Sequence, residues 1–460
     1  MNTISELRQM LGEGAVLDAT AVAERASGVW DPTPQTALAL VRPNSTDEVS
    51  RVLAYCHERG ISVVTQGGLT GLVQGQRAAS EQLIVSLERM RRIETIDGLQ
   101  RVATVQAGVT LQALQEAVAP EGLLFPLDLG ARGSATLGGN AATNAGGNRV
   151  IRYGMMRDMV LGLEVVLADG TVIDALHPLI KNNTGYDLKQ WFVGSEGTLG
   201  VITRLQLRLR ESPESHDVAM VTVPDFASVT ALLRSVDRSL GGTLSAFEVM
   251  WPDFYRLVTA PPAANAPPLP ADGSFKVLIE SLGGDREVDN ARFLAALETA
   301  LEQTLIDDAV VAQTDRERTA LWSIRDDVEQ VGHDGDPAIF DVSLPISAME
   351  AYLEQVSARL QRALTSHRLY VFGHLGDGNL HVVVQVPRGQ LLALRPVIEP
   401  CIYEPLMCCR GSVSAEHGIG LEKREWLPVS RSESELALMR AMKATLDPRG
   451  ILNPGKIFEM

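Results

Sequence analysis

Two histidines seven residues apart, His374 and His381, bracket the segment "LGDGNL". The apolar runs on either side, "LYVF" and "VVV", read as strands, and Asp377-Gly378 is the strongest short signal for a hairpin turn. With those two residues as the turn, Gly376 faces Asn379, Leu375 faces Leu380, and His374 faces His381 across the ladder. The imidazoles then share one face with Cβ atoms ~5 Å apart. That separation lets both converge on one ion, at about 2.0–2.1 Å if it is zinc. In one uninterrupted strand a spacing of seven would put them on opposite faces. A carboxylate would complete a three-ligand site with open positions, the pattern of a catalytic rather than a structural metal. Glu416 in "SAEHGIG" is the candidate, with His417 beside it. The same hairpin can also carry two core-satisfied histidines and no ion, and the residues alone leave that reading open.

A second kind of chemistry is suggested by two glycine-rich segments, "TQGGLTGLVQGQ" (65–76) and "PLDLGARGSATLGGNAATNAGGNRVIRYG" (126–154). Glycine lets backbone N–H groups approach a pyrophosphate closely, and successive N–H groups form an anion nest. Thr70, Ser134, Thr136, Asn140, Thr143 and Asn144 add hydroxyl and amide partners. Neither segment is a G-x-G-x-x-G fingerprint following a strand, so a nicotinamide Rossmann site is not supported.

The elements that must position these residues are legible in outline. "ALALVRP" reads as a strand, "STDEVSRVLAYCHERG" as a helix with Ser45 or Thr46 as N-cap and Gly60 at its stop, and "ISVVTQGG" as a strand. This is a β-α-β unit of an α/β domain. Strands are expected at 82–86, 101–106 and 161–167, with Asp169-Gly170 turning into 171–174, and at 200–210. The Pro/Ala-rich stretch 259–273 reads as an exposed loop, and 433–448 as a helix. The expected division is an N-terminal helix and lead-in (1–33), a dinucleotide domain (34–212), a substrate or cap domain with an antiparallel sheet (213–432), and a C-terminal helix and tail (433–460) that returns to the cofactor. At 460 residues the chain needs more than one core.

Composition limits the partners. Hydrophobic residues make up 45% and charged residues 21%, the mixture of a soluble globular protein. Lys and Arg number 41 against 57 Asp and Glu, a formal charge of −16, which argues against nucleic acid. An anionic substrate would need a local cationic site in that field. Cys56, Cys401, Cys408 and Cys409 form no C-x-x-C and read as free thiols of a reducing compartment. The first residues are acidic without a long apolar run, and no stretch approaches the ~20 apolar residues of a membrane span. The cytoplasm is the expected location, and a homodimer the expected assembly.

In order along the chain, "VRPNSTDEVSRVLAYC", the two glycine segments, "KNNTGYDLKQWFVGSEGTLGVIT" (181–203), "GHLGDGNLH" (373–381), "SAEHGIGLEKR" (414–424) and "LDPRGILNPGK" resemble one family. It is the vanillyl-alcohol oxidase superfamily, with its PCMH-type FAD-binding domain, in the D-lactate, D-2-hydroxyglutarate and glycolate dehydrogenase branch. The resemblance implies an α+β fold: a two-subdomain FAD domain, an α/β cap with an antiparallel sheet, and a returning C-terminal segment. It implies that Gly67, Gly68, Leu69, Thr70, Gly71 and Leu72 line the pyrophosphate of FAD. Pro126, Gly130, Ser134, Thr136, Gly138, Gly139, Asn140, Asn144 and Gly146 would surround the rest, with Gly200, Val201 and Ile202 on the closing strand and Asn453 in the tail. Some relatives attach FAD through a histidine in the first loop; Leu69 stands there in this chain, so the flavin is expected to be non-covalent.

The resemblance further implies zinc, or manganese, on His374, His381 and Glu416, and His417 as the base. The substrate's 2-hydroxyl and carboxylate would meet the ion, His417 would take the hydroxyl proton, and FAD would accept the C2 hydrogen as hydride. Arg325, in "LWSIRDDVEQ", is the candidate for the substrate carboxylate, against the plainer reading of a helix arginine paired with Asp326 or Glu329. Relatives that use D-2-hydroxyglutarate carry Thr, Lys and Asn where this chain has Glu329, Ile339 and Val383. Those departures favour a D-lactate-like monocarboxylate, because a second carboxylate would go unpaired. The electron acceptor would be an electron-transferring flavoprotein or a quinone. Two alternatives stay open: an oxidase or alcohol-oxidising enzyme of the same superfamily, and a flavin-binding electron-transfer subunit without chemistry of its own.

Overall fold

The structure, a computed structural model, describes residues 3–459. It divides into two compact units: one of the chain up to Gly147, Gly154–Ser212 and Glu416 onward, the other of Asn148–Tyr153 and Pro213–Ala415. Among the described residues no helix is long and apolar enough to cross a membrane.

Among the described residues the first unit holds two larger sheets and a two-stranded ribbon of Leu123–Leu124 with Arg210–Glu211. In the four-stranded one the order is Val16–Asp18, Ala39–Val41, Leu83–Ser86, Val63–Gln66. Helix Thr46–Arg59 forms where expected. Ser45 Oγ accepts from the Glu48 N–H (3.3 Å), Asp47 and Glu48 occupy the first turn, and Gly60 ends the helix in the left-handed region (φ 66°). Val49, Val52, Leu53 and Cys56, at helical spacing, make its buried stripe. The two strands that this helix joins are parallel but not neighbours, because Leu83–Ser86 lies between them. The second sheet is antiparallel, in the order Ile93–Asp97, Val102–Gln106, Val201–Arg208, Val160–Val166, Val172–Ala175. Its last hairpin turns at Asp169-Gly170, with Asp169 Oδ1 accepting from the Thr171 N–H (2.9 Å).

The second unit is a seven-stranded antiparallel sheet in the order Asp308–Val311, Ser215–Val223, Phe275–Gly283, Leu244–Met250, Arg368–His374, Asn379–Val386, Asp336–Ser343. A core of Met220, Met250, Phe254, Tyr255, Leu278, Ile324, Phe372 and Val383 packs on it. The 259–273 stretch is only partly the exposed loop expected. Leu269 is buried, and its carbonyl accepts from the Tyr255 hydroxyl (2.7 Å).

The packing divides the chain differently from the sequence reading at two places. Residues 148–153, read as part of the second glycine segment, belong to the second unit, drawn there by a buried carboxylate. Glu280 accepts from Arg149 Nε (2.9 Å) and Nη2 (3.2 Å), Ser245 Oγ (2.8 Å), His216 Nε2 (2.8 Å) and Trp322 Nε1 (3.2 Å). Residues 416–432, read as part of the cap, pack in the first unit. There Glu196 binds the backbone N–H groups of Ile419 and Gly420, each at 2.7 Å.

Burial alone would raise the Glu280 carboxyl, but Arg149 and His216 hold it far below the usual carboxylate range. A lowered folded-state pKa stabilises the fold fully above the unfolded-state value of about 4.3, and that contribution is lost progressively as pH falls from there through the folded-state value. Glu280→Gln, which strands the Arg149 charge, is expected to cost about 3–5 kcal/mol at pH 7. The stability difference from wild type in urea unfolding should narrow as the pH is lowered below about 4; a difference independent of pH would exclude this ionic origin.

Candidate functional site

In the first unit the two glycine segments face each other across a cavity of about 380 Å³. Of the residues expected at the cofactor, Gly67, Gly68, Leu69, Thr70, Gly71, Leu72, Gly130, Thr136, Gly138, Gly139, Asn140, Gly146, Gly200, Val201, Ile202 and Asn453 line it, as do Glu416 and His417. Pro126, Ser134 and Asn144 are not among its lining residues. Ser134 is instead the backbone on which the first loop rests. Asn144 ends helix Leu137–Thr143 in the left-handed region (φ 51°), its Oδ1 accepting from the Arg157 N–H (2.9 Å).

Several glycines are required by protein packing rather than by a ligand. A Cβ on Gly68 would stand 1.9 Å from the Ser134 carbonyl oxygen, and one on Gly138 2.5 Å from the Ala107 Cβ. The first loop therefore lies directly on the second. What the cavity lacks is partners for its own polar atoms: Thr65 Oγ1 and Asn140 Nδ2 are buried without a hydrogen-bond partner. Buried donors of this kind call for a polar ligand, which fits a dinucleotide between the loops. Leu69 (φ 57°) offers no nucleophile for a covalent link.

Four side chains hold this cradle together. Asn453 accepts from the Thr65 N–H through Oδ1 (2.9 Å) and donates through Nδ2 to the Glu196 carbonyl (2.6 Å). Glu196, by gripping Ile419 and Gly420, fixes the turn that follows His417; burial pushes its carboxyl up against the pull of those two N–H donors. Thr136 accepts from the Gly139 N–H (3.3 Å). Glu416 accepts from the Gly147 N–H. The sequence reading assigned no role to Glu196; a carboxylate inside a glycine-flanked "GSEGTLG" was its only signal.

In the second unit the hairpin differs from expectation. A two-residue I′ turn needs positive φ at both central residues, and of Asp377 and Gly378 only Gly378 has it (φ 86°). The chain makes a one-turn 3₁₀ helix over Leu375–Asp377 instead. This slides the register by two, so that Phe372, not His374, stands opposite His381. An even slip preserves the face. His374 and His381 stay diagonal neighbours on one side, both buried, with ring centroids 5.3 Å apart.

His374 pairs across the other ladder with Glu248. Its Nδ1 is 2.7 Å from Glu248 Oε1, and its Nε2 is 3.2 Å from Arg325 Nη2. Glu248 Oε2 accepts from Arg325 Nε (2.8 Å). Burial alone would raise the Glu248 carboxyl; His374 and Arg325 bring it down to about 2. Arg325 is buried, lies over the Phe372 ring (5.3 Å to its centre) and reaches Asp326 from Nη1 at 3.4 Å. A histidine backed by a carboxylate and offering its other nitrogen is the usual form of a metal ligand, so the donor chemistry here fits a divalent ion. His381 lies 5.0 Å from Phe372 and 4.0 Å from Asp341 Oδ1. Asp341 in turn accepts from Asn379 Nδ2 (2.8 Å) and from the N–H of Ala415 (3.1 Å), the residue before Glu416. Glu248 was not anticipated, although an acid inside the apolar run "SAFEVMW" marks a buried charge in need of partners.

Val383 lies directly opposite Ile339, two residues along from the His381–Asp341 pair and on the same face. Val383 is fully buried, Ile339 half exposed, and Glu329 exposed. A larger hollow of about 1050 Å³ in this unit, lined by Trp251, Arg256, His367 and Tyr370, contains none of the candidate cofactor, metal or substrate residues.

Residues 37–176 match the model of the FAD binding domain, and 212–457 that of the FAD linked oxidases' C-terminal domain. The chain is 42% identical to the mitochondrial D-2-hydroxyglutarate dehydrogenase of Bos taurus, over 91% of this chain and 76% of that protein. It is 38% identical to a putative mitochondrial D-lactate dehydrogenase of Schizosaccharomyces pombe, over 92% and 82%. Among solved structures, p-cresol methylhydroxylase with substrate bound aligns with a TM-score of 0.78 at 16% identity, over 99% of this chain and 96% of that one, a likeness of fold.

If the loops must touch for the cavity to exist, Gly68→Ala should empty it. Overpacking against backbone costs about 1–3 kcal/mol, so FAD affinity is expected to fall roughly tenfold or more. The flavin-to-protein absorbance ratio after dialysis measures this, and a fully yellow variant would contradict the packing argument.

Proposed function

The chain belongs to the FAD-linked oxidases and is a FAD-dependent D-2-hydroxy-acid dehydrogenase; we propose that it prefers a D-lactate-like monocarboxylate and works with a divalent ion, zinc or manganese, on His374, His381 and Glu416. The observation that carries the substrate preference is the Ile339–Val383 pair on the His381 face of the sheet. A substrate whose second carbon is held near the histidines would extend its side chain over these two apolar groups, which offer a second carboxylate no charge partner of their own. Glu329 adds an acid instead.

When bound, FAD supplies the acceptor for the C2 hydrogen and the ion supplies Lewis-acid polarisation of the 2-hydroxyl. His417, as neutral imidazole, takes the hydroxyl proton. Arg325 gives Nε to Glu248 and turns Nη2 to His374, so the substrate carboxylate would be received on the Nη1–Nη2 edge by displacing the contacts with Asp326 and His374. Thr65 Oγ1 and Asn140 Nδ2, buried without partners, would hold FAD when it is bound. The electron acceptor would be an electron-transferring flavoprotein or a quinone.

D-2-hydroxyglutarate is the competing substrate, favoured by the name of the bovine relative. Anaerobic mixing of the FAD- and metal-loaded protein with D-lactate, D-2-hydroxybutyrate and D-2-hydroxyglutarate, and with their L forms, separates the two by the rate of flavin bleaching. The monocarboxylates are expected to be faster, and Ile339→Lys should shift the ratio toward D-2-hydroxyglutarate by about tenfold, the worth of one new ion pair of ~1.4 kcal/mol. A wild-type preference for D-2-hydroxyglutarate would overturn the monocarboxylate reading. His417→Ala should slow bleaching about 10²–10⁴-fold and abolish the fall in log rate below neutral pH; an unchanged pH profile would remove His417 from the role.

A further inference from the structure

The carboxylate of Glu248 touches two groups with different tasks. An arginine guanidinium has only donors, so His374 Nε2, 3.2 Å from Arg325 Nη2, presents a lone pair. The imidazole's one proton is then on Nδ1 and is donated to Glu248 Oε1 (2.7 Å). The other oxygen, Oε2, takes the Arg325 Nε–H at 2.8 Å and fixes the guanidinium over Phe372. Glu248 and His374 are direct cross-strand partners and both are buried, so neither side chain has a second arrangement in easy reach.

We propose that Glu248 is a positioning residue that sets both the ligating tautomer of His374 and the substrate-binding edge of Arg325, coupling metal affinity to carboxylate recognition through one side chain. This rests on the assignment of His374 as a metal ligand. A carboxylate is the one side chain of this size that accepts from two donors on its two oxygens. A glutamine has one acceptor and one N–H₂. Turned with its nitrogen to His374, it forces the proton onto Nε2, the nitrogen needed for the metal. Turned the other way, it repels Arg325 Nε.

The test uses the full-length, FAD-loaded protein, with Zn²⁺ affinity read by competition with a chromophoric chelator and substrate KM read by dye reduction. Glu248→Gln is expected to weaken Zn²⁺ about 10–100-fold, the usual cost of losing a ligand's supporting carboxylate, and to raise KM. Arg325→Lys, which leaves the His374–Glu248 contact in place but removes the Nη2 donor that faces His374 Nε2, is expected to raise KM without weakening Zn²⁺ binding. Glu248→Asp keeps the buried charge but cannot span both partners, and it serves the same comparison if the glutamine chain fails to retain flavin. Zn²⁺ affinity in both Glu248 variants equal to that of wild type would overturn the proposal while leaving the metal assignment standing. A wild-type protein, and a His374→Ala variant, that bind no Zn²⁺ alike would overturn the assignment and the proposal together.

Discussion

Burying an ionised carboxylate inside a sheet costs several kcal/mol unless cations and donors meet it on all sides. The second unit solves this twice on one face, at Glu248 and at Glu280, on adjacent strands. Helix Asp315–Asp326 supplies a partner to each: Trp322 donates to Glu280 and Arg325 to Glu248. Three residues apart, these two lie on one side of the helix. The same face carries His374, and the strand beyond it His381. The position of Arg325 relative to the histidines is thus fixed by charge pairing, which has a definite geometry, rather than by apolar contact, which has little.

This electrostatic lattice also explains which parts of the molecule could be read from its residues. Helix Thr46–Arg59 is set by local rules: a serine cap, acids in the first turn, a glycine stop and an apolar stripe. The hairpin around Asp377-Gly378 was placed correctly, yet its register was not. Turn chemistry alone favours the two-residue loop, while His374 is held on the neighbouring strand by Glu248, more than a hundred residues earlier. Such distant partners leave almost no trace in a single sequence. Glu248 and Glu280 do leave one, an acid interrupting an apolar strand, but nothing in the pattern says what neutralises it.

The glycine segments teach a complementary point. Their composition pointed to a cofactor cradle, and they do line a cavity. The reason for glycine at 68 is nevertheless its contact with the backbone of the second segment, and at 138 its contact with Ala107. A cradle made by pressing two loops together needs small residues where the loops touch, and polar ones where they part. Thr65 and Asn140 are of the second kind. Ser134, expected at the cofactor, meets Gly68 through its backbone carbonyl and is not among the cavity's lining residues.

The cradle is closed by chain that arrives late. Strand Val63–Gln66 is the edge of its sheet, and the segment at Leu452 lies parallel against it, with Asn453 bonded to a backbone group 388 residues earlier in the chain. An uncovered strand edge invites mispairing, and here the cover comes from a segment 388 residues further along the chain. The first glycine loop is therefore synthesised well before the stretch that seals its edge. Until that stretch is in place the strand can pair with any other open edge, so the same segment that lines the cradle also guards the chain against aggregation.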